Sequence, residues 1–347
     1  MALTLEHDWF QYLPDELLIH IFGLLSRADQ ACTARCSKHV YTRILPLIWR
    51  TVFARVGWDA ARNICTTLRM NDTVAPLVQH FDLSGAWGDA ASTLPDLVGA
   101  LARLANLRVL VFHLGAHLRP GMLGACAFPR LERLRMPLTP DNVDFVARHP
   151  GITALDPVQR VPAAIARHFG SGGPKLAYVS THAALLVALA PYLAQGCHVR
   201  LEDAFWTEHA RALCNALDDA DVRIGTLHLT SPVFVHRRVP SGVATNKIDG
   251  LRIPFLERHA HDCYDGAHDL LTMCAGLTTL EFACGSADAK AMPDVRFEYI
   301  LHQFSATSQS LQTVVTGWGA QWEKTSNRWT VVSTRIRSSS DPFTPIL

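Results

Sequence analysis

A chain of 347 residues with 49% hydrophobic and 18% charged content can hold two or three domains and is too apolar for wholesale disorder. Its 32 basic and 31 acidic residues leave a net charge of +1, which argues against a nucleic-acid or anionic-membrane partner selected by bulk charge. Nine cysteines, odd in number and without a CxxC pair, point to free, mostly buried thiols in a reducing compartment, and so to a cytoplasmic or nuclear chain.

The first residues are interrupted by Glu6, His7 and Asp8 and do not read as a secretory leader. The longest apolar run, Ala183 to Ala194, contains Pro191 and is too short to span a bilayer. From Tyr12 to Phe53 the pattern is helical. Leu13, Leu17, Leu18, Ile21, Phe22 and Leu25 recur at helical spacing and form a broad apolar face. Pro14 suits a first helical turn, and Asp15 and Glu16 follow where the helix dipole favours negative charge. Ser26 with Asp29 fits a capping box, and Ser37 is placed to cap a third helix toward Val40 and Ile44. Pro46 is expected to restart the chain before Leu47, Ile48 and Trp49. Three or four short helices make little core, so part of this surface is expected to dock on another protein. The alternative is that the apolar face caps the larger domain.

Leu13-Pro14-x-Glu16-Leu17-Leu18, Ile21-Phe22-x-x-Leu25, Asp29, Cys36-Ser37-Lys38 and Trp49 resemble the F-box over residues 10–53. Arg27-Ala28 stands where that family often has an apolar or proline pair. The resemblance implies a helical module that binds the Skp-type adaptor of a cullin–RING ubiquitin ligase. It also implies an adaptor surface drawn from Leu13, Pro14, Leu17, Leu18, Ile21, Phe22, Leu25 and Trp49, some of which must hold the module's own core.

Residues 54–75, with a helix around Asp59 to Leu68, read as a connector. A repeated hexad then begins, apolar–x–x–apolar–x–apolar. It starts at Val78, Leu107, Leu131, Ile152, Leu176, Gly196, Ile224, Ile248, Leu277 and Leu311, the copy at Gly196 being a poor one. Successive starts differ by 29, 24, 21, 24, 20, 28, 24, 29 and 34 residues, and helical patterns lie between them. Over residues 76–330 this resembles the leucine-rich repeats of many F-box proteins, although the asparagine that usually follows the hexad is absent from most copies. The expected fold is therefore α/β: a small N-terminal helical F-box module, then a leucine-rich-repeat solenoid with parallel strands inside and helices outside. The rival is an ordinary α/β domain with leucine-rich strands.

Apolar hexad positions are expected to turn inward and the intervening ones to face solvent. His80, Asp82, Arg133, Arg135, Tyr178, His228, Arg252 and Glu281 are thus candidates for binding a protein target. Thr230 to Asn246 and the His-rich Leu256 to His268 read as insertions. Trp318, Trp322 and Trp329, with Thr330 to Ser333, read as a hairpin-type strand pair that caps the sheet; Ser338 to Leu347 is a polar, proline-containing tail, and the repeat domain is bounded at residue 330 with a flexible tail over 331–347.

No catalytic residue, cofactor or metal site is expected. His259, His261, Cys263 and His268 lack the paired spacing of a zinc site. Gly170 to Pro174 lacks the Lys-Ser/Thr ending of a phosphate loop and reads as a turn. The function expected is a non-catalytic, substrate-recognition subunit of an SCF-type ligase. Its partners would be the adaptor, through it a cullin, and an unidentified protein target, with no nucleic acid and no membrane. The alternative is a scaffold that binds the adaptor or other partners without directing ubiquitin transfer.

Overall fold

The computed structural model describes residues 12–55, 58–84, 94–113, 121–124, 126–140, 142–158, 161–203, 207–230, 245–255, 260–284, 294–316, 320–326 and 328–333. They fall into two compact units, one ending at Pro137 and the other beginning at Leu138.

The first unit opens with helices α1 (Asp15–Gly23), α2 (Arg27–Ala34) and α3 (Lys38–Arg50). Pro14 is the N-cap of α1. The Ser26 hydroxyl accepts from the Asp29 backbone N–H at 3.3 Å and donates to the Asp29 carboxylate at 2.6 Å, which fixes the start of α2. Ser37 accepts from the Val40 N–H at 3.1 Å and starts α3. The expected restart at Pro46 is corrected: α3 runs through it to Arg50. A proline inside a helix forfeits the bond to the carbonyl four residues back. Here that residue is Thr42, and Thr42 and Pro46 are both exposed, so water can take up the carbonyl. Leu18, Phe22, Ala34, Val40 and Ile44 form the buried centre of the bundle, with Leu13, Leu25, Leu47 and Ile48 packed against it.

Helix α3 hands over directly to strand β1 (Thr51–Arg55). Periodicity does not reveal this strand, and it differs from the expected connector over 54–75. It pairs in parallel with β2 (His80–Ser84), Thr51 opposite His80 and Arg55 opposite Ser84. The Gln79 N–H donates to the Arg50 carbonyl at 2.9 Å, so the pairing begins where the helix ends. Helix α4 (Trp58–Met70) and a 3-10 turn at Ala75–Leu77 make the crossover. Helix α5 (Leu94–Leu101) follows β2, then come β3 (Val109–Phe112) and β4 (Arg133–Met136), each parallel to its predecessor. Arg69 on α4 pairs with Asp96 on α5 at 2.9 Å.

The second unit repeats the scheme. Strands β5 (Ala154–Pro157), β6 (Leu176–Thr181), β7 (Leu193–Leu201), β8 (Ile224–Leu229), β9 (Gly250–Phe255), β10 (Thr279–Cys284) and β11 (Thr313–Val315) lie side by side in parallel. Between them run α6 (Val143–Ala147), which precedes β5, α7 (Ala183–Leu189), α8 (Thr207–Asp219), α9 (Ala260–Met273) and α10 (Asp294–Thr307). A 3-10 segment, Ala163–Phe169, replaces the helix before β6. It ends at Gly170, whose φ of 63° is a turn conformation that glycine adopts without strain.

Every hexad contributes to a strand, and its apolar positions are buried: Leu107, Leu110 and Phe112, for example, or Ile224, Leu227 and Leu229. The poor copy at Gly196 has a physical cause. Strand β7 begins earlier, with Leu193 buried opposite Leu176, and the pairing slips between Leu176 and Tyr178. Gly196 takes a φ of 71°, and Cys197, Val199 and Leu201 then resume the buried alternation. Helix α9 covers most of what reads as a His-rich insertion, and α9 starts at Ala260. The insertion expected over Thr230 to Asn246 lies almost wholly outside the described residues.

Two antiparallel strands close the unit, β12 (Gln321–Thr325) and β13 (Arg328–Ser333). Trp322 and Trp329 are buried, and the Trp329 indole N–H donates to the Ser305 hydroxyl of α10 at 2.9 Å. Strand β13 ends at Ser333, the last residue of the expected strand pair, so the domain boundary at residue 330 falls inside it. The remainder of the expected tail, and Trp318, lie outside the described residues.

Candidate functional site

Helix α1 carries two adjacent stripes. Leu18, Phe22 and Leu25 face the module's core, whereas Leu17, Ile21 and Leu24 face solvent at 50%, 43% and 77% exposure. The two stripes are about 100° apart around the helix, so one face can be buried and its neighbour left open. Ile19, on another side of α1, and Tyr12 and Tyr41 are also exposed. A fully buried leucine or isoleucine contributes about 1.5–3 kcal/mol relative to an exposed one, and this stripe is apolar surface that the bundle leaves unburied.

Of the eight residues named for an adaptor, some were expected to hold the module's own core, and Leu18 and Phe22 are those: at 0% and 2% exposure no partner can reach them without unfolding the bundle. Leu13 and Leu25 are half-buried against the core, Trp49 is half-buried, and Pro14, Leu17 and Ile21 are exposed. Leu24 and Tyr41 are also exposed, at 77% and 46%; Tyr41 stands where the F-box resemblance places an aromatic after Cys36-Ser37-Lys38, whereas sequence spacing did not single out Leu24.

Two polar side chains of α2 hold the bundle in this shape. Gln30 is buried and donates from Nε2 to the carbonyls of Phe22 at 2.9 Å and Leu25 at 3.3 Å, closing the end of α1. Arg27 donates from Nη1 to the carbonyls of Leu47 at 2.8 Å and Ile48 at 2.5 Å, closing the end of α3. The last carbonyls of a helix have no partner within it, so each bond satisfies a group that would otherwise need water. Arg43 of α3 pairs with Asp15 at the start of α1.

The candidate target-binding residues divide between the units. On the first, Thr51, His80, Val109 and Arg133 form one in-register row, and Phe53, Asp82, Val111 and Arg135 the next. His80 is corrected as an open contact: it is 7% exposed, with its ring 5.6 Å from that of Phe53. Burial, then the charge of Arg133, pulls the His80 imidazole down to about 4, so it is neutral at physiological pH. Phe53 itself is 41% exposed and was not anticipated, because β1 was not.

On the second unit, Ser180, Arg200, His228, Arg252 and Glu281 form one row across β6 to β10. Tyr178 lies in the neighbouring row, opposite His198. Sequence reasoning named His228, Arg252 and Glu281 but not Arg200, which sits in the poor sixth repeat. Glu202 Oε1 accepts from the Ser180 hydroxyl at 2.8 Å and lies 2.8 Å from Arg200 Nε.

Among the described residues, no group of three or more His, Cys, Asp or Glu side chains is placed to hold a metal ion. Of the four residues tested for zinc, Cys263 is buried with its thiol toward the Pro254 carbonyl at 3.8 Å, and His268 Nε2 is 2.8 Å from the Thr307 hydroxyl. His259 and the side chain of His261 lie outside what the structure describes. No described helix is long and apolar enough to cross a membrane. A polar, open cavity of about 520 Å³ is lined by His302, Ser305, Gln309 and Lys324. There the Ser305 hydroxyl accepts the Trp329 indole N–H, an arrangement that anchors the hairpin to α10.

The helical module thus carries an open apolar stripe and is followed by strand–helix repeats with a polar strand face. Residues 10–55 match the F-box-like family model. Among solved structures, the chain is similar to the leucine-rich repeat-containing protein LegL7 from Legionella pneumophila, at 13% identity, a TM-score of 0.46, and coverage of 69% of this chain and 83% of that one. No curated protein matches the sequence.

Proposed function

We propose that the chain is the substrate-recognition subunit of an SCF-type cullin–RING ubiquitin ligase. The F-box-like module docks on a Skp-type adaptor, and through it a cullin, while the strand face of the repeats binds a protein target. The chain does no chemistry. It raises the effective concentration of target lysines near the ubiquitin-charged enzyme. The observation that carries this reading is the stripe Leu17, Ile21 and Leu24, open to solvent on a module whose core is complete without it. The adaptor surface becomes Leu17, Ile21 and Leu24, with Pro14, Leu13, Leu25, Trp49 and Tyr41 around it.

The target face draws on Asp82, Arg133 and Arg135 in one unit and on Tyr178, His228, Arg252 and Glu281 in the other. Affinity purification of the tagged full chain from cells tests the proposal. Recovery of the adaptor together with cullin and polyubiquitin supports a ligase subunit. Recovery of the adaptor without either supports the scaffold alternative and overturns the ligase assignment.

A further inference from the structure

The row on the strand face of the second unit has an uneven charge. Arg200 and Arg252 flank His228 on adjacent strands. Strands lie about 4.8 Å apart, so the two arginines arise roughly 10 Å apart with the imidazole between them. Their side chains are 38% and 18% exposed, and the ring is half-buried.

Each arginine has one carboxylate beside it, and each contact is incomplete. Arg200 Nε is 2.8 Å from Glu202 and Arg252 Nε is 3.2 Å from Glu281. In neither case does the buried Nε–H point at the oxygen, so these are ionic contacts without a hydrogen bond. Beyond them, neither guanidinium has a bonded partner, and His228 makes no hydrogen bond, among the described residues. Burial, then the charges of Arg252 and Arg200, hold the imidazole down to about 4. Two guanidinium groups in register on either side of a neutral imidazole lack an acceptor that could use them together.

The surroundings limit what that acceptor is. Glu281 continues the row on one side, and Glu202 lies just beyond β7 on the other. A polyanion would bring its next negative group against one of these carboxylates. A single anionic group with basic neighbours would find complementary charge on both sides.

We propose that Arg200, His228 and Arg252 bind one oxyanion, a phosphate monoester or a carboxylate, on an extended peptide whose flanking residues are basic. This rests on the reading of the strand face as the target surface, and it specifies the chemistry recognised there. The bound anion is held by the two guanidinium forks and favours the protonated imidazole, which then donates to it.

The test uses the full chain labelled with carbon-13 at histidine Cε1, with the His228 resonance assigned from a His228→Gln variant. Inorganic phosphate is titrated at constant ionic strength. The expected result is a saturable shift of the His228 resonance toward the protonated position, absent with chloride. Arg200→Gln and Arg252→Gln should each weaken phosphate at least tenfold. Glu281→Gln, which removes a competing carboxylate, should tighten it about threefold, so a poorly folded arginine variant does not decide the matter.

Peptides with one phosphoserine, one glutamate or one serine between paired lysines separate the two anion sources, and the serine peptide should not bind. No His228 shift with phosphate, or a shift indifferent to Arg252→Gln and Glu281→Gln, overturns the site. Tighter binding of a single-stranded RNA than of either anionic peptide, lost in Arg252→Gln, overturns the peptide as its ligand. Adaptor recovery is measured in parallel. If it is intact while phosphate binding is absent, the anion site fails and the adaptor function stands.

Discussion

The Arg27 guanidinium reaches across the bundle to the carbonyls of Leu47 and Ile48, so a side chain at the start of α2 closes the end of α3. Arg27 is the point at which the segment departs from the usual F-box pattern, and its environment is dry enough to lower the pKa of the guanidinium itself. Removing it leaves two carbonyls short of a donor. Because the site is only partly buried, Arg27→Ala is expected to destabilise the first unit by about 1–2 kcal/mol, with Arg27→Lys recovering part of the loss. Urea unfolding of the purified chain measures this. An Arg27→Ala midpoint equal to the parent's would mean that water serves those carbonyls equally well.

The handover from α3 to β1 makes the helical module and the first strand one continuous piece. A four-residue Gly-Ser insertion between Arg50 and Thr51 breaks the start of the β1–β2 pairing set by the Gln79-to-Arg50 bond. Adaptor affinity should change less than about twofold, since the bundle's own core is untouched, whereas target ubiquitination in a reconstituted ligase should fall roughly tenfold or more as positional control is lost. Undiminished target transfer would show that orientation across this joint is unimportant.

His80 and His228 are both held near 4, well below the roughly 6.5 of an unfolded imidazole. Between those values the unfolded chain binds protons that the native chain does not. Stability therefore falls as pH drops from about 6.5 toward 4, and these two groups add no pH dependence above about 7. Denaturant midpoints at pH 7.5 and 5.5 should differ more for the parent than for a His228→Gln variant. An identical difference in both would remove His228 from the account.

Burial pushes the thiols of Cys65, Cys197 and Cys274 up to about 12 and that of Cys214 up to about 11, whereas Cys32 and Cys36 of the helical module are exposed. Since the thiolate is the reactive form, a maleimide at neutral pH should modify Cys32 and Cys36 in the native chain and reach these four only on unfolding. Peptide mapping by mass spectrometry reads this directly. Native labelling of Cys274 would contradict its buried placement.

The parts of this fold that were legible from sequence are those where one rule acts alone. Helical periodicity and Ser26 and Ser37 located α1 to α3, and the hexads located strands β2 to β11. Strand β1 was hidden because Thr51 to Arg55 is too short to show its alternation and follows a helix without a break. Pro46 misled because a local rule was outweighed by tertiary packing around Ile44 and Leu47. On α1 both stripes are apolar, so composition could not say which of Leu17 and Leu18 faces the core; the packing of α3 decides it. Arg27, Gln30 and Arg200 act through partners distant in sequence, and no spacing announces them.

The central claim concerns the open stripe of α1, and the affinity of the full chain for a purified Skp-type adaptor tests it most directly. Leu17→Asp with Ile21→Asp replaces two exposed side chains, so the unfolding midpoint should match the parent's, while adaptor binding should weaken about a hundredfold or more. A doubly substituted chain that is folded and binds the adaptor as tightly as the parent would contradict the account.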